Sequence, residues 1–398
     1  MSSASATRPA TARTAWRGPV RPADLDPVLI VSALALLALG LVMVGSASIT
    51  VAARELGDPW YYLSKQALFV GAGLGAAWVV AQVPLARWQQ AATPLLLGSL
   101  ALLVLVLVPG LGRTVNGSTR WLELGAMGFQ VSEAAKVAVL VYLSDYVVRR
   151  GDQLASTWGG FMRPLLFVVL GAVLLLCEPD FGAAVVLVAT GMTVLFLGGV
   201  PFRRFFLLLG TVVTATAALA LSSPYRLERI TGFLDPWADP FNSGFQLTQS
   251  LIAIGSGSWT GVGLGASVQK LFYLPEAHTD FLFAIFAEET GLVGVVAVIG
   301  LYATLVGRGF QLARRADAAG MQFASCLGIG LGVWISLQAF INIGVNMGVL
   351  PTKGLTLPLM SYGGSSTLIM CGAVGLLLRI GYEVNAGTRQ ARRREVQP

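Results

Sequence analysis

Tyr273-Leu274-Pro275-Glu276-Ala277-His278-Thr279-Asp280-Phe281 runs straight into Leu282-Phe283-Ala284-Ile285-Phe286-Ala287-Glu288-Glu289. It holds the only histidine of the chain and an aspartate where a polar connection enters an apolar helix. A carboxylate entering a bilayer loses much of its hydration, so an ionisable group at that depth is a functional-site hypothesis by default. Thr279 and Asp280 are also good N-caps. On this stretch alone, capping is the simpler account. The rest of the chain changes that balance.

Hydrophobic residues fill 55% of 398 positions and charged residues only 12%, too apolar a mixture for a soluble domain of this size. A helix needs about 20 apolar residues to cross the hydrocarbon. About ten such stretches recur, near 27–49, 65–83, 91–108, 132–149, 164–178, 182–200, 202–222, 281–307, 321–349 and 365–382. The expected fold is an all-α integral membrane protein: a polytopic bundle with re-entrant outer loops and a large extracytoplasmic loop between spans 7 and 8. Ser46-Ala47-Ser48 resembles a signal-peptidase site, but the first apolar core is too long for a signal sequence, and it reads as an uncleaved first helix.

Lysine and arginine concentrate in cytoplasmic loops. With the N-terminus inside, 18 of the 27 basic residues fall inside, 8 outside, and Lys136 within a span. Both termini are then expected in the cytoplasm. The net charge of +7 serves orientation and contact with anionic lipid heads, with no need of nucleic acid. Cys177, Cys326 and Cys371 lie in or beside apolar spans without metal-ligand or disulfide spacing, and read as small buried hydrophobes.

Residues 1–26 read as a disordered cytoplasmic tail, 27–383 as the membrane domain and 384–398 as a basic cytoplasmic tail. Three connections, 109–131, 223–280 and 350–364, are longer or more polar than a link requires, and all lie on the outer side. Within the second, Phe245–Ile254 suits a short interfacial helix. Its run Gly261-Val262-Gly263-Leu264-Gly265 suits close backbone packing or a turn rather than a nucleotide loop, since no strand precedes it. The third is neither polar enough for a free loop nor long enough to span, and suits re-entrant backbone lining a cavity.

Several spans carry polar groups: Ser132, Glu133 and Lys136; Glu178 and Asp180; Glu288 and Glu289; Gln338, Asn342 and Asn346. Glu133 with Lys136, and the Gln/Asn ladder, each share one helix face. The ladder reads as interhelical hydrogen bonding. Glu133 and Lys136 read equally as an internal ion pair or as a lysine facing an anionic ligand. Arg120, Lys270, Lys353, Arg226 and Arg229 make up most of the outer cations. Such cations around a lone aspartate suit a phosphorylated, lipid-linked substrate.

Gly117-Ser118-Thr119-Arg120-Trp121, Gln130-Val131-Ser132-Glu133-Ala134-Ala135-Lys136, Glu178-Pro179-Asp180-Phe181-Gly182, Asp235-Pro236-Trp237 with Gly244–Ser250, the opening stretch and Leu350–Ser366 together resemble the SEDS family of polytopic peptidoglycan glycosyltransferases, most closely its cell-division member. Two positions depart from the usual pattern: Val131 stands where proline is common, and Glu178 where glutamine is frequent.

The resemblance implies a substrate, lipid II, and its polymerisation into β-1,4 glycan strands on the outer face of the membrane at the division septum. It assigns Asp280 as general base and Arg120, Lys136 and Lys353 as candidates to offset leaving diphosphate charge. Trp121, Glu133, Lys270, His278 and Ser361 complete the expected substrate-binding set. The family implies a divalent cation, Mg²⁺ or Mn²⁺, with ligands unknown. Expected partners are a class B penicillin-binding transpeptidase of the FtsI type, division regulators of the FtsQ, FtsL and FtsB type, and membrane lipids. The competing readings are a lipid II flippase and a division-site scaffold.

Overall fold

The computed structural model describes residues 20–115, 118–124, 127–221, 233–242, 244–351 and 354–396. Asp26 starts the first long helix: its carboxylate accepts from the amides of Val28 and Leu29, and Pro27 occupies the first helical position. Twelve helices of six residues or more follow in order among the described residues: α1 Pro27–Glu55, α2 Tyr61–Gln82, α3 Leu85–Gln90, α4 Ala92–Val106, α5 Val131–Ser156, α6 Trp158–Cys177, α7 Phe181–Leu197, α8 Phe202–Leu221, α9 Phe245–Ser256, α10 Leu282–Ala318, α11 Gln322–Asn346 and α12 Gly364–Val396. Each of the ten stretches read as spans is helical over most of its length. Six of these helices (α1, α2, α6, α10, α11 and the Gly364–Gly387 part of α12) are long and apolar enough to cross a membrane.

The helices at the centre are α11, α12 and α5. Trp334 on α11 is fully buried, and α11 packs against α5, α7, α10 and α12. The lipid-facing surface is apolar in turn: Leu68, Leu74, Trp78 and Val79 of α2 and Leu166, Val169 and Val173 of α6 are all exposed. Outward apolar surface on this scale belongs against lipid.

Four expectations need correction. The fold is not purely helical: the connection read at 109–131 carries an antiparallel sheet in the order β1 Gly112–Val115, β2 Ser118–Leu124, β3 Met127–Gln130. Asn116-Gly117, the strongest short hairpin signal, lies between β1 and β2 and was the sequence cue for it. The expected N-terminal tail is folded from residue 20: Val20 donates to Gln82 Oε1 (2.9 Å), Gln82 Nε2 donates back to its carbonyl (3.2 Å), and a 3₁₀ turn follows at Pro22–Asp24. The expected C-terminal tail is helical, since α12 continues to Val396. Residues 1–19 and the cations Arg226, Arg229 and Lys353 lie outside the described residues.

The fourth correction concerns α10, which is not continuous. Gly291 adopts φ +66°, ψ −167° and breaks it. The freed amides of Leu292 and Val293 donate to the carbonyls of Ser258 and Trp259 (3.0 and 3.2 Å). The freed carbonyls of Glu288 and Glu289 accept from Val262 and Gly263 (3.0 and 3.1 Å). A Cβ at Gly291 would lie 2.4 Å from the Gly261 nitrogen, so two backbones meet where no side chain fits. The glycine run is a backbone-packing device, as its composition suggests.

Candidate functional site

Asp280 stands one residue before the N-cap of α10, which is Phe281 and makes no side-chain capping bond. The carboxylate therefore does not cap the helix. Among the described residues it makes no hydrogen bond, and it remains partly exposed while lying deep among protein atoms. Its neighbours come from two other loops. A Cβ at Gly354 would sit 3.2 Å from Asp280 Oδ2 and 3.8 Å from Arg120 Nη1, so carboxylate and guanidinium flank the same glycine.

Arg120 is delivered by β2. Side chains alternate along a strand, so Arg120 shares a face with buried Leu122 while Trp121 points to the other. Arg120 Nη2 donates to the Pro179 carbonyl (2.5 Å), and its Nε lies 3.8 Å from Asp180 Oδ2. Asp180 caps α7 through the Ala183 amide (3.1 Å). Glu178, at the end of α6, is fully buried, and neither carboxylate oxygen has a hydrogen-bond partner among the described residues. Thus the connections 112–130, 178–180 and 354–361 converge on Asp280.

Burial pushes the Asp280 carboxyl from 3.8 to about 7, reinforced by the negative Glu276 and Asp180 and opposed by Arg120. His278 is lowered, again mainly by burial. Its ring packs between Tyr62 (4.5 Å between centroids) and Tyr362 (5.6 Å), and its carbonyl accepts from the Tyr362 amide (3.0 Å). It braces the loop that carries Asp280.

The remaining expected site residues are elsewhere. Lys136 is fully buried; its ammonium meets Glu133 (2.8 Å) and Gln338 (3.0 Å) beside the Trp334 ring. Lys136 thus forms a buried ion pair with Glu133. Lys270 is equally occupied, by Glu289 (2.8 Å) and Ser46 (2.9 Å). Glu288 accepts from the Ser267 hydroxyl and the Val268 amide, so neither glutamate is an available base. Ser361 is buried and accepts from the Leu357 amide (2.9 Å), which makes it a turn-forming residue. Lys353 lies outside the described residues; its neighbour Gly354 is in the site. Sequence reading missed Gly354 and Glu276, because neither carries a signal until the loops are folded together.

A divalent ion was expected here. Among the described residues, no group of three or more His, Cys, Asp or Glu is arranged to hold a metal. Among the described residues the donor set around Asp280 is one carboxylate facing an arginine, which does not fit a resident ion held by protein ligands alone.

The FtsW/RodA/SpoVE family model, described as cell cycle protein, matches residues 27–386. The chain is 61% identical over 359 residues, covering 90% of both chains, to the probable peptidoglycan glycosyltransferase FtsW of Thioalkalivibrio sulfidiphilus. It is 53% identical to the probable peptidoglycan glycosyltransferase FtsW of Halorhodospira halophila, with 94% of each covered. Among solved structures, it matches a chain from work on the structural coordination of polymerization and crosslinking by a peptidoglycan synthase complex, with TM-score 0.74, 32% identity, and coverage of 90% of this chain and 98% of that one. It also matches the Thermus thermophilus rod shape determining protein RodA, with TM-score 0.66, 32% identity, and coverage of 90% and 96%. With a family match over residues 27–386 and relatives at these identities and coverages, the chain belongs to the FtsW/RodA/SpoVE family of multi-pass membrane proteins.

Proposed function

We propose that this chain is a peptidoglycan glycosyltransferase that polymerises lipid II into β-1,4 glycan strands on the outer face of the cytoplasmic membrane during septal cell-wall synthesis. The ten long helical segments are its crossings, with both termini in the cytoplasm. The observation that carries the reading is a partly exposed carboxylate near pKa 7 facing a guanidinium across Gly354. A general base works best when its pKa lies near the operating pH.

Asp280 takes the proton from the acceptor's 4-hydroxyl as that oxygen attacks the donor's anomeric carbon. The anomeric C–O bond to diphosphate breaks and the configuration inverts. Diphosphate leaves as an anion, so no second carboxylic acid is required as in glycoside hydrolysis. Arg120 is the described cation placed to offset that charge, the electrostatic term that dominates many such steps. Mg²⁺ is commonly bound by one or two carboxylates together with substrate phosphates. The ion then belongs with the diphosphate, and no step above is routed through it. A class B transpeptidase of the FtsI type would crosslink the strands, and regulators of the FtsQ, FtsL and FtsB type would govern activity.

The test is glycan-strand formation from purified lipid II by the chain with its cognate transpeptidase, comparing wild type with Asp280→Asn. Polymer from wild type alone supports the assignment. Equal polymer from both removes Asp280 from the chemistry, and none from either in a verified, active complex favours flippase or scaffold.

A further inference from the structure

The first four amides of a helix have no partner within it. At the start of α10, behind its N-cap Phe281, the Ala284 N–H donates to the Phe281 carbonyl (3.1 Å) and to Asn346 Oδ1 (3.1 Å). Asn346 Nδ2 donates to the Asp280 carbonyl (3.0 Å) and to the Asn342 carbonyl (2.8 Å). Asn342, one turn away on α11, donates from Nδ2 to the same carbonyl (2.9 Å) and to the Leu355 carbonyl (2.6 Å). Both asparagines are buried, at 0% and 2% exposure. The Asp280 carbonyl, one residue before the N-cap of α10, therefore accepts twice from α11.

We infer that Asn342 and Asn346 are positioning residues for the reaction, clamping the backbone of Asp280 and the Gly354–Leu355 segment in one register so that the carboxylate is aimed at the acceptor hydroxyl. The inference rests on the reading of Asp280 as base. Only a primary amide both accepts and donates at this spot; leucine does neither, and an ionised aspartate cannot donate. Leu355 follows Gly354, the residue that Asp280 and Arg120 flank, so one α11 side chain sets both walls of the cleft. Gln338 supplies an internal comparison. It sits on the same face of α11 and bonds the same segment, through the Thr356 carbonyl (3.2 Å), but has no bond to Asp280.

The experiment uses the full chain with its cognate transpeptidase and measures lipid II polymerisation for Asn342→Leu, Asn346→Leu, Gln338→Leu and Asp280→Asn, with thermal unfolding of each. Asn346→Asp is included because it keeps the acceptor for Ala284 and loses only the donor. The expected result is a kcat lowered about ten- to a hundredfold in the asparagine variants, the loss that a misplacement of about 1 Å brings. KM should stay within about threefold, as for an interaction made only at the transition state. The acid limb of the pH profile should be displaced in the asparagine variants and unmoved in Gln338→Leu. Near-wild-type turnover in both leucine variants, with Asp280→Asn inactive, overturns the inference while leaving the base assignment standing. Loss of turnover that merely tracks loss of folded protein, with the pH limb unmoved in Asn346→Asp, also overturns it and leaves a packing role. Polymer from Asp280→Asn removes the base reading itself and this inference with it.

Discussion

Asp280→Asn should make the protein more stable while abolishing its activity, and the gain should depend on pH. Burial holds the Asp280 carboxyl near 7 in the folded protein against an ordinary 3.8. At about 1.36 kcal/mol per pKa unit, ionising it in the fold costs on the order of 4 kcal/mol more than ionising it in the unfolded chain. Partial contact with water reduces that to roughly 2–4 kcal/mol. The folded-state pKa is raised, so the stability contribution is complete below about pH 4, falls as pH rises from about 4 to 7, and is level above. Asparagine is neutral throughout and of nearly the same volume. The melting temperature of Asp280→Asn should therefore match wild type near pH 4 and exceed it by a few degrees at pH 8, the gap opening mostly between pH 5 and 7. Thermal unfolding in nanodiscs at matched scan rates reads this, beside a polymerisation rate that climbs through pH 7 in wild type. A gap that does not vary with pH, or a wild type more stable than the variant at pH 8, would refute the premise that Asp280 is a strained, chemically available carboxylate.

Gly354→Ala puts a methyl 3.2 Å from Asp280 Oδ2 and should lower turnover about tenfold or more with little loss of stability, because the methyl occupies the cleft rather than the core; kcat and melting temperature measured together check it. Arg120→Ala removes both the cation opposing the rise in Asp280's pKa and the bond to Pro179, so the acid limb should move to higher pH and turnover fall about a hundredfold. Arg120→Lys should recover part of the rate and less of the pH shift, since a lysine cannot reach both partners as a planar guanidinium does. Lys136→Met should leave Glu133 buried and uncompensated, costing about 3–5 kcal/mol, with folded yield in membranes recovering in a Glu133→Gln/Lys136→Met double variant.

The spans were legible because apolar composition over about 20 residues is a local signal that bilayer thickness imposes. So was Asp280, since a carboxylate at a helix entrance is conspicuous wherever the rest of the chain goes. What could not be read was which polar groups share a neighbourhood. Lys136, Lys270, Glu288 and Glu289 look in sequence as available as Asp280, yet each finds a partner far along the chain or across a turn: Gln338 for Lys136, Ser46 for Lys270. The sheet at 112–130 was missed for another reason. Its strands are four to seven residues long, and Arg113, Glu123 and Gly128 blur the alternation that longer strands display. The Asn116-Gly117 dipeptide carried more information in the sequence than the strands did.

The broken α10 gives these separate anchors a common purpose. A base with a pKa near 7 needs surroundings dry enough to disfavour its charge and open enough to admit a sugar hydroxyl. A loop in free water fails the first condition and a continuous helix within the bundle fails the second. The segment Leu282–Thr290 meets both as a short helix detached from the rest of α10 at Gly291. Detachment leaves backbone groups in an apolar setting, where each unsatisfied group is costly. The loop 258–263 satisfies those at the break, and Asn342 and Asn346 satisfy those at the start. Glu288, held by Ser267 and Val268, and Glu289, held by Lys270 and Ser46, then fix the segment against the loop that carries Ser267–Lys270 and against α1. Those glutamates are engaged in anchoring, whereas the Asp280 carboxylate, one residue before the N-cap, makes no hydrogen bond among the described residues and is the one proposed to accept a proton.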